Sequence, residues 1–353
     1  MAIITNHTLA AQPAVTTRTG HDLIVVGASA GGIPAISTLL RGLPADLPAA
    51  ILVVFHLAPD SGAMLPRMIG EKSRLSVTLA EDRAPLRHGE VRIAVSDHHL
   101  LVEPGMMRLV RGPRENRFRP AIDPLFRSAA WAYGPRVIGI LLSGLLNDGS
   151  AGLWAIKSCG GVAVVQDPVD AHYRDMPQHA LETFPVDHCV PVAEMSTLVT
   201  ALARQPAAGN VDPVPSKQLE IETKMAEQSD EVGIDRMNRI GKLSPFTCPA
   251  CHGSLWEVFD DYVLRFRCHT GHAFSAESLD AEQGEEYEGA LFMALRSLEE
   301  NARLARSVAD RSRQRAHDRV ARIYDDKASE ADRSAEVIRH MLRHARGASK
   351  GRH

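Results

Sequence analysis

Three apolar runs in this chain end in a serine, a histidine and an aspartate, the set from which a nucleophile, a base and an orienting carboxylate are assembled. Ser29 stands in Leu23-Ile-Val-Val-Gly-Ala-Ser-Ala-Gly-Gly32, an apolar run passing directly into Gly-x-Ser-x-Gly-Gly. Such a run followed at once by this turn puts Ser29 at the tip of a strand-to-helix junction. There glycines permit a tight backbone, and the helix N-terminus offers N–H groups to a developing oxyanion. The next run, Ile51-Leu-Val-Val-Phe55, ends in His56, and Val137-Ile-Gly-Ile-Leu-Leu142 leads shortly to Asp148. Functional groups of doubly wound sheets gather at the carboxyl ends of strands, so three residues remote in sequence can meet there. The expected chemistry is acyl transfer to water. His56 takes the Ser29 proton, while Asp148 fixes the imidazole tautomer and stabilises the imidazolium. The order Ser–His–Asp differs from the Ser–Asp–His of α/β-hydrolases and points to another hydrolase fold.

Competing readings of the same residues are less economical. Gly27 and Gly32 occupy the outer positions of a dinucleotide fingerprint, but Ser29 replaces its middle glycine. The second strand also ends in His56 where an acid should meet the ribose. Singly, His56 is an ordinary strand-end histidine and Asp148 an N-cap for a helix over 151–159. Jointly they make a relay.

With those residues in hand, the chain resembles the chemotaxis protein-glutamate methylesterase (CheB-type) catalytic domain. The resemblance rests on Gly-Ala-Ser-Ala-Gly-Gly, Phe55-His-Leu-Ala-Pro59, Arg117-Phe-Arg-Pro-Ala-Ile-Asp-Pro-Leu-Phe126, Leu142-Ser-Gly-Leu-Leu-Asn-Asp-Gly149 and Arg174-Asp-Met-Pro177, in order over roughly 21–204. It implies hydrolysis of glutamate γ-methyl esters on chemoreceptors, often with deamidation of receptor glutamines, and no cofactor for catalysis. By position it makes Ser29 the nucleophile, His56 the base and Asp148 the third member. The oxyanion would be held by backbone N–H groups near Ala30 and Leu145, where the family often has threonine and methionine. Arg117, Arg119 and Met176 are the substrate-binding candidates. The implied partners are a methylated receptor or similar signalling protein and a methyltransferase or histidine kinase of the same pathway. The family's usual receiver domain finds no counterpart before the catalytic strand, so regulation is expected from a partner or the C-terminal module.

Composition excludes more than it selects. A net charge of −3 over 353 residues gives no general drive toward nucleic acid or anionic lipid. No apolar stretch approaches membrane-spanning length, and residues 1–20 lack a leader's basic and apolar regions. Five cysteines, two scattered and three clustered late, suit a reducing compartment, and a cytoplasmic location is expected.

The elements follow from this frame. βα alternation fills the first two-thirds, giving an α/β, doubly wound, mostly parallel sheet. A helix is expected from Ile33 to Leu43, and short strands over 75–79, 91–95, 100–103 and 107–110 read as edge hairpins. Asp123-Pro124 reads as an N-cap and first-turn proline for a helix to Tyr133. Arg111, Arg114, Arg117 and Arg119 read equally as a surface for acidic receptor helices or as a solvated loop.

Residues 205–243, with Pro206, Gly209, Pro213 and Pro215, read as a linker containing a short helix within 217–228. Thr247-Cys-Pro-Ala-Cys-His-Gly253 and Phe266-Arg-Cys-His-Thr-Gly-His272 then give the two turns of a small zinc-ribbon-like module over 244–280. Cys248, Cys251, Cys268 and one histidine are expected to complete a tetrahedral structural Zn²⁺ site, the competing reading being reduced thiols in a packed mini-domain. His272 is preferred over His269 and His252, which adjoin cysteines and strain the chelate. The module is expected to fold apart from the esterase domain over 21–204. Beyond it, Leu291, Leu295, Leu298, Ala302 and Ala305, and then Tyr324, Ala328, Ala331, Ala335, Ile338 and Leu342, mark two amphipathic helices over 281–346. They read as an intramolecular hairpin or as a surface for a partner or a second copy. The leading function is a serine esterase acting on a protein side chain; a catalytically idle scaffold binding a receptor or kinase is the rival class.

Overall fold

The computed structural model describes residues 20–56, 64–207, 216–227, 233–259 and 262–349; the expected tail over 1–20, but for its last residue, lies outside them. Two compact units emerge. One takes the described residues up to Cys248 with Gly253–Ser275, the other Pro249–His252 with the described residues from Ala276 on.

In the first unit, β1 (Leu23–Ala28), α1 (Gly32–Gly42), β2 (Ala50–Phe55), α2 (Leu65–Gly70), β3 (Ser76–Leu79) and β4 (Glu90–Ile93) precede a hairpin of β5 (His99–Glu103) and β6 (Met106–Val110). There follow α3 (Ile122–Tyr133), β7 (Val137–Leu141), α4 (Ser150–Ser158), β8 (Val162–Gln166), α5 (Asp175–Thr183), β9 (His188–Val190) and α6 (Val192–Arg204). Seven strands form one sheet in the order β3-β4-β2-β1-β7-β8-β9, every pair parallel. Successive β1 residues serve opposite layers. Ile24 and Val26 pack with Ile36, Leu39 and Met195 of α1 and α6, while Leu23 and Val25 pack with Phe126, Leu153 and Ile156 of α3 and α4. Burial on both faces makes such strands unbroken apolar runs.

Two sequence expectations change here. Only β5 and β6 form a hairpin, turning at Pro104-Gly105; β3 and β4 join the main sheet in parallel. Their connection does not return directly but runs beside β6, where Arg83 N–H donates to Met107 O and Met107 N–H to Ala84 O. The N-cap of α3 is Ala121, not Asp123, which sits buried in the first turn.

The second half of this unit holds α7 (Lys217–Ala226), α8 (Ile234–Ile240) and an antiparallel sheet in sequential order of β10 (Gly241–Thr247), β11 (Ser254–Val258), β12 (Arg265–Cys268) and β13 (Ala273–Ser275). Expected to stand apart, the ribbon strands instead belong to the first unit and pack against the elements around the parallel sheet through buried charge. Arg267 of β12 is 0% exposed and lies 3.1 Å from Glu115 and 3.4 Å from Glu222 of α7. Glu115 also accepts from Arg127 of α3 at 2.6 Å, and Glu222 from Arg265 at 2.7 Å. Burial pushes the Glu115 and Glu222 carboxyls up, but the arginines outweigh it and hold both below the ordinary 4.5. Folded values lying below unfolded ones mean a contribution present above pH 4.5 and lost on acidification. The denaturation midpoint should therefore fall as pH drops below 4.5, less steeply in Glu222→Gln; equal slopes would show that Glu222 is not involved.

In the second unit, α9 (Ala276–Gln314) and α10 (Asp318–Ser349) pair as a helical hairpin. Ala302, Ala305 and Ala309 face a seam of Ala321, Ala328, Ala335 and Leu342, all buried. Flanking ion pairs join Arg339 to Glu299 at 2.6 Å and Arg306 to Asp332. Small residues spaced by sevens permit this close approach. Leu291, Leu295 and Leu298 are only half-buried.

Candidate active site

The parallel register aligns the ends of three neighbouring strands. Ala28 of β1 pairs with Phe55 of β2, and Gly27 with Leu141 of β7, so Ser29, His56 and Asp148 emerge at one edge. The structure brings all three together. His56 Nδ1 lies 3.0 Å from Ser29 Oγ, and Nε2 lies 2.7 Å from Asp148 Oδ2. With the proton on Nε2, facing the carboxylate, Nδ1 presents its lone pair to the serine hydroxyl. The His56 and Asp148 side chains are 4% and 2% exposed, whereas Ser29 is half-buried. Phe118 stacks flat on the imidazole at 3.6 Å between centroids, holding its plane.

The turn carrying Ser29 is built by close approach. Gly31 has φ 71°, which an L side chain rarely adopts, and a Cβ there would meet His172 and Ser143 at 2.7 Å. Ser29 N–H donates to Ser143 O at 3.0 Å, and Ser143 Oγ donates to Ala30 O at 2.8 Å and accepts from Tyr173 N–H at 2.9 Å. A Cβ on Gly144 would lie 2.9 Å from Ser29 Cβ and 2.0 Å from Met176 Sδ. That glycine lets the segment carrying Leu145 reach Ser29. Ala30 and Leu145 are half-buried, on the α1 turn and the β7 exit that flank Ser29. Met176 is 0% exposed, and its N–H donates to Gly144 O at 3.0 Å.

Asp148 and Asp123 cap each other's helices. Asp148 Oδ2 accepts Ile122 N–H at 2.7 Å at the start of α3; Asp123 Oδ1 accepts Gly149 and Gly152 N–H at 3.1 and 2.7 Å at the start of α4. Asp148 thus does not cap the helix that follows it, whose N-cap is Gly149. Asn116 donates to both carboxylates, at 2.8 Å to Asp148 and 2.9 Å to Asp123. Burial pushes the Asp148 carboxyl up, but His56, Ile122 N–H and Asn116 outweigh it and hold it below its ordinary value. Asp123, desolvated by burial and facing the Asp148 charge, is pushed up to about 7. The pair keeps its negative charge on the carboxylate that meets His56.

The arginine cluster is partly spent on the protein itself. Arg119 donates to Asp97 at 2.6 Å and to Gly112 O at 2.8 Å, and Arg111 pairs with Asp97 at 2.5 Å. Arg117 is half-buried with φ 78°. Asn116, Phe118, Asp123 and Ser143 are site residues that sequence reading passed over. The first three lie within or beside the Arg117–Phe126 motif, the one signal that could have found them.

The ligand atoms of Cys248, Cys251, Cys268 and His272 all lie within 4.8 Å of one another. The Cys268 thiol is held well below its ordinary value, first by the adjoining Cys248 and then by His272 and Thr270, against burial. His252 turns instead toward Glu286 at 3.8 Å, and His269 lies 6.4 Å from the Trp256 ring. Three thiols and one imidazole within this span fit a closed tetrahedral metal site.

Among the described residues no helix is long and apolar enough to cross a membrane. The pattern of the CheB methylesterase family matches residues 24–199. Protein-glutamate methylesterase/protein-glutamine glutaminase 2 of Anaeromyxobacter dehalogenans is 42% identical over 183 residues, 52% of this chain and 54% of that protein. A Leptospira interrogans protein provisionally named protein-glutamate methylesterase/protein-glutamine glutaminase is 36% identical over 183 residues, 52% of this chain and 95% of that protein. The crystal structure of the Thermotoga maritima CheB methylesterase catalytic domain superposes with a TM-score of 0.51 at 28% identity, covering 52% of this chain and 100% of that one. The chain spans about half the length of the first relative and nearly all of the second. With matching order of motifs, a shared fold and near-complete coverage of a relative, the chain belongs to the CheB methylesterase family.

Proposed function

We propose that this chain hydrolyses glutamate γ-methyl esters on a chemoreceptor or similar signalling protein, and deamidates glutamines at the same site. The observation that carries this is the unbroken Ser29–His56–Asp148 relay at the strand ends. His56 takes the Ser29 proton as Oγ attacks the γ-carbonyl, and the oxyanion turns toward the N–H groups of Ala30 and Leu145. His56 then protonates the departing methoxide, or for glutamine the leaving amide nitrogen, which departs as ammonia, and a glutamyl ester remains on Ser29. Water, deprotonated by His56, attacks that ester, and the acyl bond to Oγ breaks as His56 returns the proton to Ser29, releasing glutamate. Arg117 lies on a segment flanking this site and supplies a substrate contact; Met176, expected to join it, is fully buried and supports the Gly144 turn from behind, and Arg119, held by Asp97, shapes the loop. The Ser29-dependent release of methanol from a methylated receptor tests the reading. No release from the intact relay would leave a binding scaffold instead.

The thiol–imidazole quartet is proposed to hold structural Zn²⁺, which supplies cross-linking of two turns and takes no part in the hydrolysis. So small a sheet cannot hold itself by apolar burial alone, so the metal contributes much of its folding energy. Purified protein should carry about one zinc per chain, and Cys251→Ser should lose it. Chelation should lower the melting temperature. Metal analysis finding no zinc in protein prepared without chelator would refute the assignment.

A further inference from the structure

A continuous hydrogen-bond path runs from the ribbon to Asp148 through one residue, Asn116. This asparagine is 5% exposed. Its Nδ2 donates to Asp148 Oδ1 at 2.8 Å and to Asp123 Oδ2 at 2.9 Å. Its Oδ1 accepts the N–H of Ser275 in β13 at 2.9 Å, and its own N–H donates to Ala273 O at 2.8 Å. An amide side chain can stand two ways round, exchanging oxygen for nitrogen. Here the orientation is specified from both sides: the Asp148 carboxylate requires the NH₂, and the strand N–H requires the oxygen. The same serine reaches the other flank of the site, its Oγ donating to Asn147 Oδ1 at 2.7 Å, the residue before Asp148. Strand β13 therefore grips Asp148 through a residue on each side of it.

We propose that Asn116 is a positioning residue for Asp148 and that Ser275 holds it in place, so that docking of the ribbon sets how readily Ser29 is activated. This rests on the relay reading above. Asp148 keeps Oδ2 aimed at His56 because Ile122 N–H fixes that oxygen while Asn116 fixes the other. Without Asn116, Oδ1 retains the Asp123 N–H at 3.4 Å, too long to stop the carboxylate turning. A relay held less tightly loses rate without losing substrate affinity, because misplacement of about an ångström costs up to about 100-fold.

The test uses the full-length chain and two readouts. One is methanol release from methylated receptor. The other is the rate at which a fluorophosphonate labels Ser29, fluoride leaving as Oγ bonds to phosphorus, which depends on the relay and not on the substrate's identity. Asn116→Ala, Asn116→Ser and Ser275→Pro, the last removing the donating N–H, should each slow labelling and kcat about 10- to 100-fold. KM should stay within about twofold, since substrate contacts are untouched. The Asn116→Ala/Ser275→Pro pair should lose clearly less than the two single losses combined, because Ser275 acts chiefly through Asn116 and only its hydroxyl reaches Asn147 separately. Melting temperatures identify the folded variants. Should Ser275→Pro unfold, the two Asn116 variants decide, and should Asn116→Ala unfold, Asn116→Ser decides.

Labelling and kcat within about twofold of wild type in a folded Asn116 variant would overturn the proposal. Additive losses in the double variant would overturn the part given to Ser275. A wild-type chain that labels at Ser29 yet releases no methanol defeats the substrate reading, and the labelling series still decides the positioning role. A wild-type chain that does not label at Ser29 defeats both.

Discussion

Ser29→Ala should lower methanol release from a methylated receptor by about four to six orders of magnitude while leaving the fold intact. At 1.36 kcal/mol per tenfold this is roughly 5–8 kcal/mol of transition-state stabilisation. Residual activity should exceed the uncatalysed rate, because the N–H groups near Ala30 and Leu145 remain. Stability should change by less than about 1 kcal/mol, since a half-buried hydroxyl loses one hydrogen bond of 3.0 Å to His56. His56→Ala should do nearly as much harm, and the double variant little more, because a relay fails as a unit. Asp148→Asn should be severe for a further reason. The buried carboxylate oxygen at 2.7 Å fixes the proton on Nε2, and an amide there reverses the tautomer Ser29 needs. Methanol release and circular dichroism on the four variants check this; Ser29→Ala within tenfold of wild type would mean another nucleophile.

Arg267→Ala should cost about 3–5 kcal/mol of stability, the largest loss expected from any substitution outside the site. The side chain is fully buried, faces Glu115 at 3.1 Å and Glu222 at 3.4 Å, and donates to Gly271 O at 3.0 Å. Truncation leaves two buried carboxylates sharing Arg127 and Arg265, with a cavity where the guanidinium lay. Replacing Arg267 and Glu115 together by apolar residues of similar volume should recover part of the loss, because an unpaired buried charge costs more than an absent pair. Chemical denaturation measures this. A loss below about 1 kcal/mol would show that the ribbon is anchored by something other than this cluster.

What the sequence determined by itself was local. Strands β1, β2 and β7 were legible because burial on both faces leaves unbroken apolar runs, and their last residues are where a parallel sheet puts chemistry. Ser29, His56 and Asp148 could be named on that ground. Cys248, Cys251, Cys268 and His272 could be named because turn spacing brings thiols together with little help from the fold. The α9–α10 hairpin followed from a periodic alanine seam, although the sequence left open whether that seam served this chain or another.

Tertiary structure decided whatever depended on partners far along the chain. The parallel pairing of β3 and β4, each four residues long, carries no period to separate it from a hairpin. Asp123 reads as a cap from its neighbour Pro124, yet its carboxylate serves the start of α4 and borders Asp148. Glu222 lies in a stretch whose prolines and charges read as linker; its burial exists only because Arg265 and Arg267 arrive from the ribbon. The bond from Ser275 to Asn116 spans 159 positions and joins two residues whose types are common on any surface. Apolar faces impose a period on sequence because each must turn toward a core. A buried charge or amide answers only to its partner, and that partner is chosen by the fold.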